Sequence, residues 1–174
     1  VLTQFVQDVK WGDLDYLVID LPPGTGDVQI SLAQLVHASA ALLVSTPQDI
    51  AFRDVRRAAV MFSKVNVPVI GLVENMAYFV CPHCGKKTEV FPRATDETLR
   101  HIADGMFVET LESIPLEPAL AKSGEQGVPD VIKNPDSETA KVFTDLAGKV
   151  AQKLSIIAVG KDTVPVHSGP TDQD

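Results

Sequence analysis

The sequence predicts an α/β domain whose mostly parallel sheet is covered by helices on both faces. Apolar runs of strand length, rich in β-branched residues, alternate with segments whose apolar residues recur at helical spacing. A continuous apolar run is typical of a strand buried on both faces, and strand–helix alternation implies right-handed parallel crossovers. The predicted strands occupy residues 15–21, 40–45, 67–74 and 107–113.

Helices are predicted between these strands and after the last of them. Asp27 and Asp49 stand where caps would begin the helices that follow the first two strands, and Asp136 or Ser137 would cap the final helix. Pro and Gly are frequent in residues 114–135, so only short helical turns are expected there. Further helices are expected over residues 2–9 and 94–103.

The predicted domain boundaries lie where the alternation of strand and helix patterns stops. We predict one domain over residues 1–155, interrupted by an insertion at 75–92 that carries both cysteines of the chain. Residues 156–174 show no apolar periodicity, so we expect a disordered tail there. The chain begins with Val1 rather than Met.

Composition excludes several classes of function. The formal net charge of −8 argues against a nucleic-acid partner, which would favour a basic face. No apolar run approaches the roughly 18 residues that a membrane-spanning helix needs. We therefore expect a cytoplasmic protein without a membrane partner, or a mitochondrial or plastid one if a targeting segment lies upstream.

A carboxylate ends the first predicted strand, and a glycine-rich loop follows it at once. In parallel sheets, ligands bind beyond the carboxyl ends of the strands. Asp20 can hold a water ligand of Mg²⁺ there, and Gly24 and Gly26 allow backbone amides to approach a phosphate. A tight turn capped by Asp20 explains the same residues equally well, so this pattern alone leaves both interpretations open.

Several segments resemble the Mrp/Nbp35 family of MinD-like P-loop ATPases. The first matches the family's Walker B and switch II segment, DYLVIDLPPGTGD at 15–27. The likeness extends to about residue 155 and includes VSTPQDIAFRDVRRA at 44–58, VENMAYFVCPHCG at 73–85 and IPLEP at 114–118. The resemblance implies a three-layer P-loop NTPase fold that binds ATP and Mg²⁺, with Asp20 as the catalytic Walker B residue.

The family's phosphate-binding loop has no counterpart in these residues. No G-x-x-x-x-G-K-[ST] motif occurs in the sequence. We therefore expect the chain to be the C-terminal part of the family's domain, with the N-terminal portion missing. The full-length protein is expected to hydrolyse ATP, and this chain alone is not.

The adenine side of the site is expected at the ends of the later strands. An Asn amide offers both a donor and an acceptor to a base edge, although an Asn after a strand is more often a turn residue. The resemblance implies that Asn75 contacts adenine and that Pro115 borders the base.

The two cysteines lie in a C-x-x-C turn. Cys81 and Cys84 can point both sulfurs at one metal, and Gly85 supplies the flexible backbone of such a turn. Half of a zinc site, a redox pair and half of a cluster site share this spacing, but hairpin-like flanks argue against the redox pair. Because two thiolates do not complete a four-ligand site, a second copy of the chain is the simplest source of the other two.

The resemblance implies that two subunits hold a bridging four-iron, four-sulfur cluster on Cys81 and Cys84. It thus implies a homodimeric, ATP-dependent carrier that delivers clusters to apo iron–sulfur proteins. Two alternatives remain at this point. A MinD/ParA-like positioning ATPase would carry a basic amphipathic C-terminal helix, which this sequence lacks. A zinc-stabilised binding module would use the cysteines structurally.

Overall fold

The fold comes from a computed structural model, which describes residues 4, 8–22, 26–36, 38–93 and 108–162. Helices and strands alternate over residues 27–74 as the sequence predicts. In order they are α1 (Asp27–Val36), β1 (Ala41–Ser45), α2 (Asp49–Lys64), β2 (Val69–Glu74), β3 (Phe79–Val80), β4 (Lys87–Thr88), β5 (Thr110–Ser113), α3 (Pro118–Glu125), α4 (Asp130–Lys133) and α5 (Glu138–Asp162).

Three strands form a parallel sheet in the order β1-β2-β5. The central strand β2 pairs with both neighbours, and its last residue, Glu74, lies between Ser45 and Ser113 in register. The short strands β3 and β4 form a separate antiparallel hairpin. The predicted α/β class with a parallel sheet is therefore confirmed, and so is the hairpin expected around the cysteines.

The main core lies between the sheet and α2. The buried face of α2 presents Phe52, Val55, Ala59 and Phe62 at helical spacing, and these pack with Leu72 of β2. Side chains alternate along a strand, so Gly71 and Val73 face away from this cluster. The last helix, α5, packs on β2 and β5.

The capping prediction for α2 is wrong by one residue. Gln48 occupies the N-cap position in an extended conformation, and Asp49 is the first helical residue. Gln48 makes no side-chain capping bond, because its Oε1 accepts a hydrogen bond from the Thr46 hydroxyl at 3.1 Å. Asp49 still favours this end of the helix, since a carboxylate in the first turn complements the helix dipole.

The strand expected over residues 15–21 does not form. This segment belongs to no strand, and its apolar side chains are largely exposed, with Val18 at 89%. A strand requires a neighbouring backbone to pair with its N–H and C=O groups. Among the described residues no strand pairs with this segment, although its composition suits a buried strand.

The last helix extends beyond the predicted domain boundary at residue 155. It begins after Ser137, whose Oγ accepts the Ala140 N–H at 3.0 Å, so the predicted Ser137 cap is confirmed. The helix continues to Asp162, which corrects the expected tail for residues 156–162. Three further expectations lie mainly or wholly outside the described residues: the helices over 2–9 and 94–103 and the tail beyond 162.

We predict that Gly71→Ala destabilises the fold by about 1–3 kcal/mol, because a new methyl group would be overpacked against Leu111 of β5. A Cβ at Gly71 would lie 2.7 and 2.8 Å from the two methyl carbons of Leu111. The measurement is the free energy of unfolding by urea titration. Gly148→Ala is the matched control, since a Cβ at that helical position meets nothing within 4 Å. It should stabilise the chain by up to about 1 kcal/mol. Equal stability of Gly71→Ala and wild type would contradict the close packing of β2 on β5.

Candidate functional site

The carboxyl ends of the three parallel strands form one continuous edge. Backbone hydrogen bonds continue past the strand ends: the Asn75 N–H donates to the Ser45 carbonyl at 2.6 Å, and the Ile114 N–H donates to the Glu74 carbonyl at 2.8 Å. The Leu116 N–H then donates to the Tyr78 carbonyl at 2.7 Å. The last two bonds join segments 74–78 and 113–116, which we call the edge ladder.

The edge ladder brings Asn75 and Pro115 onto adjacent segments. Pro115 is buried and lies between Ile114 and Leu116, both of which bond to the segment that carries Asn75. The Asn75 Oδ1 accepts the Met76 N–H at 3.0 Å. An amide oxygen has two lone pairs, so this bond leaves an acceptor position and the Nδ2 donors for a ligand. Juxtaposition of these two predicted residues is thus observed, whereas a base contact remains a prediction.

Met76 follows Asn75 with a positive φ of 55°. This left-handed conformation is unusual for a residue with a side chain and is held by the bonds around it. The Met76 N–H itself donates to the Asn75 Oδ1, and the N–H of the next residue, Ala77, donates to the Ile114 carbonyl at 2.9 Å. The turn after β2 therefore redirects the chain from the sheet into the cysteine-bearing segment.

The predicted phosphate-side residues lie in and beside the loop that precedes α1. Asp20 is exposed and belongs to no strand. Gly24 lies outside the described residues, and Gly26 is exposed. The loop is attached to α1 by Gln29, whose Nε2 donates to the Pro22 carbonyl at 3.0 Å. The roles of Asp20, Gly24 and Gly26 therefore stay predictions.

Cys81 and Cys84 lie in the turn between β3 and β4, and we call residues 79–88 the cysteine hairpin. The Cys81 N–H donates to the Lys86 carbonyl at 3.0 Å, and the Gly85 N–H donates to the Cys81 carbonyl at 2.8 Å. Gly85 has a φ of +69°, which a residue with a Cβ adopts only with strain. The glycine thus closes a tight turn around both sulfurs.

The turn also stabilises a thiolate. The pKa of the Cys81 thiol is lowered chiefly by a hydrogen bond from the His83 backbone N–H, and then by the Cys84 backbone and side chain. A metal binds the thiolate rather than the thiol, so this lowering favours metal binding. Cys84 and the flanking residues 82–90 are exposed, so the sulfurs lie at the protein surface.

Two contacts of Lys87 attach the cysteine hairpin to the rest of the domain. Its Nζ donates to Glu138 at 2.9 Å in the first turn of α5, and it lies 4.7 Å from the Tyr78 ring centroid. The pKa of Lys87 is raised, first by the Glu138 hydrogen bond and then by Tyr78. At the hairpin's other strand, Phe79 bridges to Leu116 of the edge ladder.

The cysteine pair has no third protein ligand in the described part of the chain. No group of three or more His, Cys, Asp or Glu side chains is positioned to hold a metal there. His83 is exposed, and the other three histidines (37, 101 and 167) lie outside the described residues. Each described chain thus offers two cysteines to a metal.

Sequence reasoning missed a charged cluster beside Asn75. Glu74 is buried; its Oε2 accepts a hydrogen bond from the Ser113 hydroxyl at 3.0 Å and forms an ion pair with the Arg93 Nη2 at 3.1 Å. An acidic residue at the end of an apolar strand is a visible signal that some cation must accompany it. The sequence does not show that Arg93 is that cation, because only the fold brings the two together.

A family comparison identifies the relatives of this chain. The ParA family model, described as the NUBPL iron-transfer P-loop NTPase, matches residues 1–151. The chain belongs to this family. The resemblance to the Mrp/Nbp35 family and the P-loop NTPase fold class are thereby confirmed.

Two curated relatives illustrate this NUBPL-family membership. The iron–sulfur cluster carrier protein of Aquifex aeolicus is 48% identical over 151 residues, which are 87% of this chain and 41% of the relative. An Arabidopsis thaliana protein, named as a mitochondrial iron–sulfur protein required for NADH dehydrogenase, is 44% identical over 161 residues, 92% of this chain and 50% of that one. The chain thus spans about half the length of the curated relatives it matches.

A solved structure of similar fold binds a nucleotide. The nucleotide-binding protein of Archaeoglobus fulgidus, in complex with ADP and with cobalt, superposes with a TM-score of 0.65 at 35% identity. The match covers 82% of the NUBPL-family chain and 56% of the archaeal one.

Within the described residues, none of the helices is long and apolar enough to cross a bilayer.

We predict that Gly85→Ala weakens metal binding by the cysteine pair about tenfold, since a side chain in the left-handed region costs roughly 1–2 kcal/mol. The measurement is a Co²⁺ titration of the metal-free chain, followed by the thiolate-to-cobalt absorption. Gly127→Ala is the matched control, because Gly127 has a similar φ of +68° but lies between α3 and α4. It should lose comparable stability and keep wild-type Co²⁺ affinity. Equal Co²⁺ affinities for both variants would contradict the role assigned to Gly85.

Proposed function

We propose that this chain is the cluster-binding and base-binding part of an ATP-dependent iron–sulfur cluster carrier. The observation that carries the proposal is the cysteine hairpin: two sulfurs in a glycine-closed turn, with backbone N–H groups that favour the Cys81 thiolate. The names of its curated relatives, which include an iron–sulfur cluster carrier protein, support the same function. The cluster is cargo in this proposal, and the protein binds it reversibly.

The exposure of the cysteines suits a carrier better than a structural zinc site. A structural site is closed by four ligands from its own domain and stabilises the fold. Here the described chain offers two thiolates on an exposed turn, so the remaining ligands come from outside it. A second copy related by a two-fold axis would supply two more thiolates and complete a four-cysteine cluster site.

The same exposure makes the cargo transferable. A cluster bound between two hairpin tips would stay accessible to incoming thiolates, because residues 82–90 are exposed. Ligand exchange proceeds by replacing protein thiolates one at a time, which requires open space beside the metal. We therefore propose apo iron–sulfur proteins as recipients and a homodimer as the loaded form.

The nucleotide is proposed to bind at the edge ladder. Asn75 would contact the adenine edge and Pro115 would border the base, since the ladder places their segments side by side. Asp20 would hold Mg²⁺ through a water, with Gly24 and Gly26 near the phosphates. The ion would offset phosphate charge. A nucleotide that binds beside the hairpin attachment can influence the cluster site, and this proximity is the basis of the proposed ATP dependence. A cytoplasmic location stays a prediction.

The cluster proposal predicts a brown dimer after anaerobic reconstitution with iron and sulfide, with about four irons per two chains. Cys81→Ala and Cys84→Ala should each lose the colour and the cluster-dependent dimer, because each removes two of four ligands from a symmetric site. The measurements are iron and sulfide analysis together with mass in solution.

Ser123→Ala is the matched control for the cysteine variants, since Ser123 bonds the Leu120 carbonyl within α3, away from the hairpin. This variant should reconstitute like wild type. A monomer that retains stoichiometric zinc and takes up no iron would overturn the carrier proposal in favour of a zinc-stabilised module.

The nucleotide proposal predicts that these 174 residues alone do not hydrolyse ATP, because they contain no phosphate-binding loop motif. In a form of the protein that includes such a loop, Asp20→Asn should abolish hydrolysis while preserving the fold. The neighbouring Asp15→Asn is the control and should retain activity. Phosphate release measures both. Hydrolysis by the isolated chain, or unchanged activity of the longer Asp20→Asn form, would contradict the proposed site.

A further inference from the structure

One guanidinium group connects the candidate nucleotide edge to the strand that follows the cysteines. The Arg93 Nη2 lies 3.1 Å from the Glu74 Oε2, and its Nε lies 3.0 Å from the Glu89 Oε1. Glu74 ends β2 immediately before Asn75, and Glu89 follows β4 of the cysteine hairpin. The Glu74–Arg93–Glu89 bridge therefore joins the two parts of the proposed function.

The two halves of this bridge differ in strength for a physical reason. The Glu74 side chain is only 5% exposed, so its carboxylate requires a compensating partner. The Ser113 hydroxyl donates to the same oxygen but carries no charge. The Glu89 side chain is 61% exposed, so its pairing with Arg93 is screened by water. Arg93 is thus anchored at Glu74 and reaches outward to Glu89.

Arginine suits this position because its donors form a rigid planar fork. The Nη2 of Arg93 pairs with Glu74 while its Nε pairs with Glu89. Because the guanidinium group is planar and rigid, its contact with Glu74 also fixes where its Nε meets the Glu89 carboxylate. A lysine presents a single point charge on a flexible stem, and it would satisfy the buried carboxylate without orienting the second one.

The bridge complements a second attachment of the same strand. Lys87 of β4 pairs with Glu138 at the start of α5, and Glu89 lies two residues further along the chain. Residues two apart along an extended segment share a face, so both attachments hold one side of the hairpin. The Lys87–Glu138 pair attaches the hairpin to α5, and the Glu74–Arg93–Glu89 bridge attaches it to the edge ladder.

We infer that Arg93 is a positioning residue that holds the cysteine hairpin in a fixed place relative to the edge ladder, where the nucleotide is proposed to bind. The inference rests on the proposed function for its biological meaning, since it links the proposed base contact to the proposed cluster ligands. Arg93 acts through Glu74 and Glu89 and does not contact the cargo.

The first experiment measures amide hydrogen exchange of residues 79–90 in the whole chain. Glu89→Gln should speed this exchange about two- to fivefold, which is the range of an exposed ion pair. Arg93→Ala should speed it at least as much, because it also removes the partner of the buried Glu74 carboxylate. Arg93→Lys separates positioning from charge compensation. It should keep the wild-type melting temperature, because Glu74 still has a cation, and yet exchange as fast as Glu89→Gln in the hairpin.

The control is another arginine–carboxylate pair. Arg57 and Asp54 form an exposed pair at 3.2 Å on α2. Arg57→Ala should leave hairpin exchange at the wild-type rate. If Arg93→Ala does not fold, Glu89→Gln and Arg93→Lys carry the test, because Glu74 keeps a cationic partner in both variants. Wild-type hairpin exchange in Glu89→Gln and in Arg93→Lys would overturn the inference.

A second measurement keeps this inference separate from the proposed function. Co²⁺ titration of the metal-free chain reports the cysteine pair through its thiolate-to-cobalt absorption. Wild-type chain that gives no such absorption would contradict the proposed metal site, while the exchange data would still decide the role of Arg93. If wild type binds, Glu89→Gln and Arg93→Lys should bind Co²⁺ about two- to fivefold more weakly. Unchanged affinity together with unchanged exchange would exclude a positioning role.

Discussion

The parallel pairing of β2 with its two neighbours is the constraint on which both candidate sites depend. It places Ser45, Glu74 and Ser113 side by side at one edge of the sheet. The backbone bonds then continue past the strand ends, so the turn after β2 inherits its position from the sheet. Because β2 is paired on both sides and its last four residues are buried, its carboxyl end is a well-supported position for a functional residue.

The cysteine hairpin extends from that platform. Its strands have two residues each, too few to be stable alone, so its position depends on attachments to the domain. Three such attachments are observed: the β-bridge from Phe79 to Leu116, the Lys87–Glu138 pair and the Glu74–Arg93–Glu89 bridge. The result is an exposed surface turn held at defined points, which suits the proposed binding and release of a cluster.

The segment around Asp20 shows that a local sequence pattern alone does not ensure that a strand forms. Its apolar, β-branched residues predict a buried strand, but strand formation requires a second backbone, and no described strand pairs with residues 15–21. Where both neighbours are present, as for β2, the same kind of pattern predicts the element to within two residues. The Walker B assignment of Asp20 therefore depends on family resemblance, whereas the adjacency of Asn75 and Pro115 is a feature of the fold itself.

The α/β class, the family and the candidate residues for metal and base binding can be predicted from the sequence, because each depends on local periodicity or on a short motif. Cys81 and Cys84, for example, share one turn whatever the fold. Only the tertiary structure decided which distant residues meet. Glu74 and Arg93 are separated by the whole hairpin, and Lys87 meets Glu138 from another helix. Such pairs leave no periodic signal, because their partners are chosen by the path of the folded chain and by the need of a buried carboxylate for a cation.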